Sequence, residues 1–132
     1  MDKGTLAEQK VILRAIELGY TVSKPISSAR YDLILDKGKL IRVQVKYGDG
    51  LSSNSQGAVS VSFRTWNNKG GGKKSKKYST EEIDAICAYL PSVDKVVWLE
   101  PEKFAGKAAC LIRIAPAKIK CGRLNLLEDL VW

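Results

Sequence analysis

Histidine is absent from this sequence, and its absence excludes several kinds of site. A chain without histidine cannot form a Ser-His-Asp triad, a histidine-ligated zinc site or a histidine-ligated haem site. Cysteine is scarce: the three that occur, Cys87, Cys110 and Cys121, are odd in number and widely spaced. That spacing fits neither a zinc pattern nor a disulfide framework, and it predicts a reducing environment. Any hydrolytic chemistry must therefore use carboxylates, amides or lysines, with or without a hard metal ion.

Long apolar runs are also missing. No stretch approaches the roughly 20 apolar residues that span a bilayer, and the first five residues lack the basic and apolar blocks of a signal peptide. These absences predict a cytoplasmic protein with no membrane partner. The 132 residues suffice for one domain, so residues 1–132 are expected to fold as a single unit.

Acidic residues are outnumbered by basic ones, and this imbalance indicates a class of partner. The chain has 22 Lys and Arg against 14 Asp and Glu, a net charge of +8 and a pI near 9.5. A small basic domain most often binds nucleic acid, because clustered cations release the counterions of the phosphates. The alternative to nucleic-acid binding is that the net positive charge only keeps the protein in solution.

The apolar pattern predicts one helix followed mostly by strands. The helix runs from Thr5 to Leu18, with Thr5 and Glu8 as a capping box and Ile12, Ala15 and Ile16 as its apolar stripe. Strands are expected at residues 20–23, 31–36, 40–46, 58–63, 83–90, 95–99 and 108–114, and a last helix, capped by Asn125, ends at residue 130. This order predicts an α/β (or α+β) fold with a central mixed β-sheet flanked by helices.

Four polar residues stand in or beside these apolar elements: Glu8, Asp32, Gln44 and Lys46. Strand alternation places Gln44 and Lys46 on one face of the sheet. Each residue also has an ordinary interpretation. Glu8 suits the first turn of a helix, Asp32 can be a solvated edge residue, and the other two can form a polar strand face.

The turn before residue 40 decides whether Asp32 and Gln44 share a face. A three-residue loop, residues 37–39, pairs Asp36 with Leu40 and brings Asp32 and Gln44 to the same face. A two-residue turn without a bulge sets Asp32 opposite Val43 instead, and that register would defeat the site assignment.

The order and spacing of these residues resemble the PD-(D/E)XK nuclease superfamily, whose motif here is Glu8, Tyr31-Asp32 and Gln44-Val45-Lys46. Residues 3–47 are similar to its group I intron-associated homing endonuclease branch, of cyanobacterial type, and residues 83–101 continue the likeness more loosely. Tyr31 replaces the usual proline, and Gln44 replaces the usual acid. The resemblance implies a restriction-endonuclease-like core.

The resemblance also implies a metal site and the residues that form it. Asp32 would be a direct ligand of Mg²⁺, with the Gln44 side-chain oxygen and the Val45 carbonyl as further ligands and Glu8 reaching the metal directly or through water. Lys46 would orient the attacking water and neutralise developing charge. Mn²⁺ is a possible replacement, and Ca²⁺ would support binding only.

The implied function is an Mg²⁺-dependent endodeoxyribonuclease of the intron-homing type that acts on double-stranded DNA, nucleoid-associated when bound in a bacterial cytoplasm. Two alternatives stay open. One is a structure-selective nuclease similar to a Holliday-junction resolvase. The other is a non-catalytic DNA-binding module with a degenerate metal site, because Gln44 removes one negative charge.

A glycine-rich basic loop at about residues 66–78 is the candidate for DNA contacts outside the metal site. Phosphate contacts are expected from its five lysines, and base contacts from the residues around its start, where Ser60, Ser62 and Arg64 alternate on one face. The alternative is a solvated loop. The candidate DNA-binding residues are Arg64, Trp66, Asn67, Asn68, Lys69, Lys73, Lys74, Lys76 and Lys77.

Double-strand cleavage needs two active centres, so a homodimer or homotetramer is expected. The apolar segment Leu124 to Trp132 is a candidate interface, because exposed apolar surface is costly. Packing of this segment on its own core is the other expectation.

Overall fold

A computed structural model describes residues 2–51, 57–67, 74–114 and 125–132 of the chain. None of the helices in these ranges is long and apolar enough to cross a membrane. In chain order the elements are α1 (Lys3–Glu17), β1 (Thr21–Ser23), β2 (Leu33–Asp36), β3 (Leu40–Tyr47), β4 (Gly50–Leu51), β5 (Ala58–Ser62), β6 (Thr65–Asn67), β7 (Lys74–Lys76), β8 (Ala85–Leu90), β9 (Lys95–Leu99), α2 (Pro101–Phe104), β10 (Ala109–Arg113) and α3 (Leu127–Leu130).

The N-terminus of α1 is capped by Asp2 and not, as expected, by Thr5. The Asp2 side chain accepts a hydrogen bond of 3.1 Å from the Thr5 amide. An aspartate at this position satisfies an amide of the first turn as well as a threonine does. The predicted capping box of Thr5 and Glu8 is therefore wrong, and Glu8 is left for another role.

The buried stripe of α1 also differs from the predicted one. Ala7, Val11 and Ala15 are fully buried, whereas Ile16 is 58% exposed. The stripe follows steps of four residues, so the helix presents its smallest side chains to the sheet. Glu8, next to Ala7, lies at the edge of this buried face and is partly exposed.

The central sheet is mixed, as the sequence predicts. Its strand order is β1-β2-β3-β8-β9, in which β3 and β8 are parallel and the other neighbours are antiparallel. A second sheet, β10-β5-β4, is antiparallel. Two hydrophobic cores result: one between α1 and the central sheet, and another that includes residues of β5, β8, β9, β10 and α2.

The β2–β3 turn has the three-residue loop that the site assignment requires. Asp36 pairs with Leu40 and Leu33 pairs with Val43 across the loop of residues 37–39. Gly38 at its centre has a φ of +93°, which favours glycine over L-residues. The predicted three-residue turn and its pairing of Asp36 with Leu40 are therefore confirmed.

Both ends of the predicted glycine-rich basic loop, at about residues 66–78, form strands. β6 and β7 pair in antiparallel fashion, with Thr65 opposite Lys76 and Asn67 opposite Lys74. We call this pair the basic ribbon. The three glycines at residues 70–72 favour a loop over strands in the sequence pattern. Residues 68–73, between the two strands, lie outside the described residues.

The C-terminal segment packs on its own chain from residue 125 onward. The Trp132 ring lies 5.1 Å from that of Trp98 and 5.6 Å from that of Tyr20, and its amide donates to the Val96 carbonyl at 3.0 Å. Asn125 does not cap α3, because its side-chain amide donates to the Leu111 carbonyl. Of the two expectations for this segment, the structure shows packing on the core.

Candidate active site

β3 carries the two polar residues of the motif on one face. Val43 and Val45 point towards α1 and are buried there. Gln44 and Lys46 alternate with them, opposite Ile86 and Ala88 of the neighbouring parallel strand, whose side chains belong to the other core. The predicted shared face of Gln44 and Lys46 is therefore present, and both residues are partly exposed.

Asp32 lies one residue before β2 and is bound to β3 at two points. Continuing the β2–β3 register would set Asp32 opposite Gln44, but its amide donates instead to the Val43 carbonyl at 2.9 Å. Its carboxylate accepts a hydrogen bond of 2.9 Å from the Val45 amide. The local departure from the ladder thus turns the Asp32 carboxylate towards the backbone of the Gln44-Val45-Lys46 segment.

The surroundings of Asp32 shift the pKa of its carboxyl group upward. Burial raises the pKa of this carboxyl group, and the nearby Glu8 carboxylate raises it further. The hydrogen bond from Val45 and the Lys46 and Lys24 ammonium groups act in the opposite direction but do not overcome burial. The Glu8 carboxylate and the Lys46 ammonium group therefore both act electrostatically on Asp32.

Glu8 pairs with a residue that the sequence analysis did not single out. The Lys24 ammonium forms an ion pair with the Glu8 carboxylate. Lys24 follows the short strand β1 and precedes Pro25. A lone lysine in a lysine-rich chain gives no sequence signal, so only the fold brings it to the site.

Tyr78 and Arg30 are two further residues that the motif did not indicate. The Lys46 ammonium nitrogen lies 5.1 Å from the centroid of the Tyr78 ring. The guanidinium carbon of Arg30 lies 4.2 Å from the same centroid. Arg30 is only two residues before Asp32, so its nearness to the site could be expected from the sequence. Tyr78 is distant from both in sequence and gave no such signal.

The predicted DNA-binding residues are only partly within the described structure. Arg64 is exposed between β5 and β6. Lys76 pairs with Glu82 at 3.3 Å, and Lys77 is exposed. For Trp66, Asn67 and Lys74 the structure gives the backbone pairing only, and outside the described residues lie Asn68, Lys69 and Lys73.

The two buried cysteines are not candidates for catalysis. Burial raises the pKa of the Cys87 thiol well above its usual range, and it raises that of Cys110 as well. A buried thiol with a raised pKa is a poor nucleophile. Cys121 lies outside the described residues.

The donor set suits a hard divalent cation. Within the described ranges, no three His, Cys, Asp or Glu side chains gather into a metal-binding group. The oxygens that the motif residues offer are the carboxylates of Asp32 and Glu8, the Gln44 amide and the Val45 carbonyl, and oxygen is the donor that Mg²⁺ prefers. A cation beside the two carboxylates would also offset the burial and repulsion that raise the pKa of Asp32.

Comparisons with known proteins show what the chain is similar to in sequence and in fold. The profile of the PD-(D/E)XK endonuclease family matches residues 1–129. A solved structure described as that of a bacterial homing endonuclease, I-Ssp6803I, is similar with a TM-score of 0.72 and 24% identity, over 92% of this chain and 81% of that chain. At this identity the likeness shows a shared fold, the restriction-endonuclease-like arrangement of a mixed sheet with flanking helices. No curated protein matches the chain.

Proposed function

Since this chain belongs to the PD-(D/E)XK endonuclease family, we propose that it is a metal-dependent endonuclease of the homing type. It would hydrolyse phosphodiester bonds in double-stranded DNA at a long specific site. One observation carries the proposal: the Asp32 carboxylate binds the Val45 amide, between the two polar residues of the motif on β3. This hydrogen bond supports the proposal, because it joins the acid of the motif to the strand segment that carries Gln44 and Lys46.

Each residue of the site has a role that its chemistry allows. Asp32, Gln44 and the Val45 carbonyl would hold a divalent cation, with Glu8 completing the set, and Mg²⁺ is the ion that these oxygens suit best. When bound, the cation supplies Lewis-acid stabilisation of the phosphoryl oxygens. Lys46 adds a positive charge where negative charge develops on the phosphate, and it positions the attacking water.

The proposed substrate is inferred from the charge of the chain, and the proposed assembly from the two cuts that a DNA duplex requires. A net charge of +8 and the basic ribbon favour a polyanion as substrate. Cutting both strands at a long site requires two active centres, so the active species would be a homodimer or homotetramer with matching DNA symmetry. The nuclease domain would span the whole chain, with the basic ribbon as its DNA-binding extension. Light scattering of the protein with and without DNA measures the assembly.

Cleavage of two kinds of DNA tests the proposed function. The purified protein is incubated with Mg²⁺ and a plasmid library that carries long randomised inserts, beside a synthetic four-way junction. Recurrent cut ends around one sequence are expected. Cleavage of the junction alone would instead make the protein a structure-selective nuclease, and tight binding in Ca²⁺ without any cleavage would make it a DNA-binding module.

Gln44→Glu is expected to lower the Mg²⁺ concentration needed for cleavage while retaining activity. The change restores the acid that the family usually has and keeps the side-chain length. A third carboxylate next to Asp32 and Glu8 attracts the cation more strongly. Single-turnover cleavage over an Mg²⁺ titration measures the shift.

Gln9→Glu is the matched control, because it adds the same charge at an exposed position of α1. Its Mg²⁺ dependence should equal that of the unchanged protein. Loss of cleavage in Gln44→Glu at every Mg²⁺ concentration would show that residue 44 must stay neutral, for example because a carboxylate there pairs with Lys46.

Replacing four lysines within residues 66–78 by glutamine is expected to weaken DNA binding for all sequences and to leave the saturated cleavage rate unchanged. Lys76 is kept, because it pairs with Glu82. The slope of log affinity against log salt should fall by up to about four, since each lost phosphate contact contributes roughly one. The four replaced lysines are Lys69, Lys73, Lys74 and Lys77.

Four exposed lysines outside residues 66–78 provide the control with the same change in net charge. An unchanged salt slope in that control would show that the effect comes from local contacts and not from overall charge. An equal loss in both variants would contradict a specific DNA contact by residues 66–78. The control positions are Lys37, Lys39, Lys95 and Lys107.

A further inference from the structure

The side chain of Lys46 lies against a buried aromatic ring. Tyr78 is only 2% exposed and belongs to the core that contains Phe63 and Phe104. Its carbonyl accepts a hydrogen bond of 3.2 Å from the Gly106 amide, which fixes the backbone at this point. The Lys46 ammonium nitrogen, 5.1 Å from the ring centroid, is within the range of a cation–π interaction.

A second cation fixes the same ring. The Arg30 guanidinium carbon is 4.2 Å from the Tyr78 ring centroid. Arg30 is itself tied down, because its Nε donates to the Glu82 carboxylate at 2.8 Å and one Nη donates to the Lys77 carbonyl at 3.4 Å. The ring is thus held by the core behind it and by a salt-bridged arginine, so it is a rigid support for Lys46.

The Glu82 carboxylate links this support to the basic ribbon. It accepts from the Arg30 Nε and from the Lys76 ammonium, and it also accepts from the Ser79 hydroxyl at 3.2 Å. Lys76 is the last residue of β7. The contacts that order the Tyr78 ring therefore also order the base of the ribbon.

We propose that Tyr78 is a positioning residue that holds the Lys46 ammonium group ready for the scissile phosphate, with Arg30 fixing the ring. The inference rests on the proposed nuclease function. A free lysine side chain has many rotamers and loses that freedom when it is placed at a reacting group. A ring that holds the ammonium group beforehand lowers this cost at the transition state, so the effect appears in the rate and not in DNA affinity.

Nuclear magnetic resonance of lysine-labelled protein tests the positioning without any DNA. With selectively ¹³C-labelled lysine, the ε-methylene signal of Lys46 is identified by its loss in Lys46→Ala. The Tyr78 ring current should shift this signal upfield in the unchanged protein and in Tyr78→Phe, which keeps the ring. In Tyr78→Leu the shift should disappear. A Lys46 signal at the position of exposed lysines in the unchanged protein would overturn the proposal.

Single-turnover cleavage tests the consequence for the reaction. At saturating DNA and Mg²⁺, Tyr78→Leu should cut roughly tenfold more slowly than the unchanged protein, a typical value for losing a desolvated cation–π contact. Tyr78→Phe should retain the rate. The Kd for DNA, measured in Ca²⁺, should change little in either variant.

Tyr89→Leu is the matched control for lost core packing. Tyr89 is also buried, and the Lys10 ammonium lies 5.3 Å from its ring centroid. This variant should lower Tm as Tyr78→Leu does and yet cut at the rate of the unchanged protein. If Tyr78→Leu does not fold, Tyr78→Met replaces the ring by a flexible apolar chain of similar size and serves the same comparison.

The outcomes separate this inference from the proposed function. An unchanged protein that cuts no DNA would refute the nuclease proposal, whereas the Lys46 signal would still decide whether the ring positions the ammonium group. Equal cleavage rates for Tyr78→Leu and Tyr78→Phe, or a loss in Tyr78→Leu that lies in Kd alone, would overturn the positioning role.

Discussion

Lys46→Ala is expected to lower the single-turnover cleavage rate by roughly 10²–10³-fold and to change DNA affinity only by a small factor. Lys46 is placed to stabilise negative charge that grows in the transition state, and removing one such group commonly costs a factor of this size. In the bound ground state the same lysine is one phosphate contact among many. The rate is measured at saturating DNA and Mg²⁺, and affinity is measured in Ca²⁺.

Lys10→Ala is the control for this substitution. Lys10 also lies over a tyrosine ring, at 5.3 Å from the centroid of Tyr89, and pairs with Asp94. It has the same kind of environment without a place in the motif, so its loss should leave the cleavage rate unchanged. A Lys46→Ala protein that cuts as fast as the unchanged one would show that Lys46 is an ordinary surface lysine.

The register of the β2–β3 hairpin was predictable from sequence because β3 alternates clearly. The segment from Ile41 to Lys46 alternates apolar and polar residues, and the three residues of the preceding turn set its register; the structure has both features. The fold could not be predicted where the local signal is ambiguous. Asp2 and Thr5 are both good N-caps, and the residue types alone do not decide between them.

Strands without apolar alternation were missed. Lys74–Lys76 has no apolar residue, and nothing in its composition distinguishes it from a solvated loop. It is a strand because it pairs with Thr65–Asn67. The pattern of either segment alone does not show that the two segments pair across the glycine-rich stretch between them.

The candidate site shows the same division between local and distant information. The spacing of Asp32, Gln44 and Lys46 follows from one hairpin, so a motif can describe it. Lys24 and Tyr78 lie outside that hairpin in the sequence, and the fold brings them to the site. Their contacts, an ion pair with Glu8 and a ring beside Lys46, required the structure.

Asp32→Asn is expected to abolish cleavage and at the same time to raise the stability of the metal-free protein at neutral pH. The asparagine oxygen can still accept the hydrogen bond from the Val45 amide, so the fold persists while a charged metal ligand is lost. Burial raises the pKa of Asp32 above its ordinary value of 3.8. Ionisation of this group therefore costs the folded state more than the unfolded state.

The raised pKa of Asp32 determines whether folding stability rises or falls with pH. With a raised native pKa, the folded protein binds more protons than the unfolded chain between the ordinary and the raised pKa, so the stability contributed by Asp32 falls as pH increases through that window. Asparagine removes this fall. In EDTA, the Tm advantage of Asp32→Asn should thus be absent near pH 3 and grow towards neutral pH.

Asp36→Asn provides the matched control for both effects. Asp36 is the last residue of β2, is exposed, and accepts a hydrogen bond of 3.0 Å from the Gly38 amide. The control should cleave like the unchanged protein and gain no stability at neutral pH. Mg²⁺ should raise the Tm of the unchanged protein and of Asp36→Asn but not that of Asp32→Asn, because only the last lacks the anionic ligand. An equal Mg²⁺ response in all three proteins would show that Asp32 does not hold the cation.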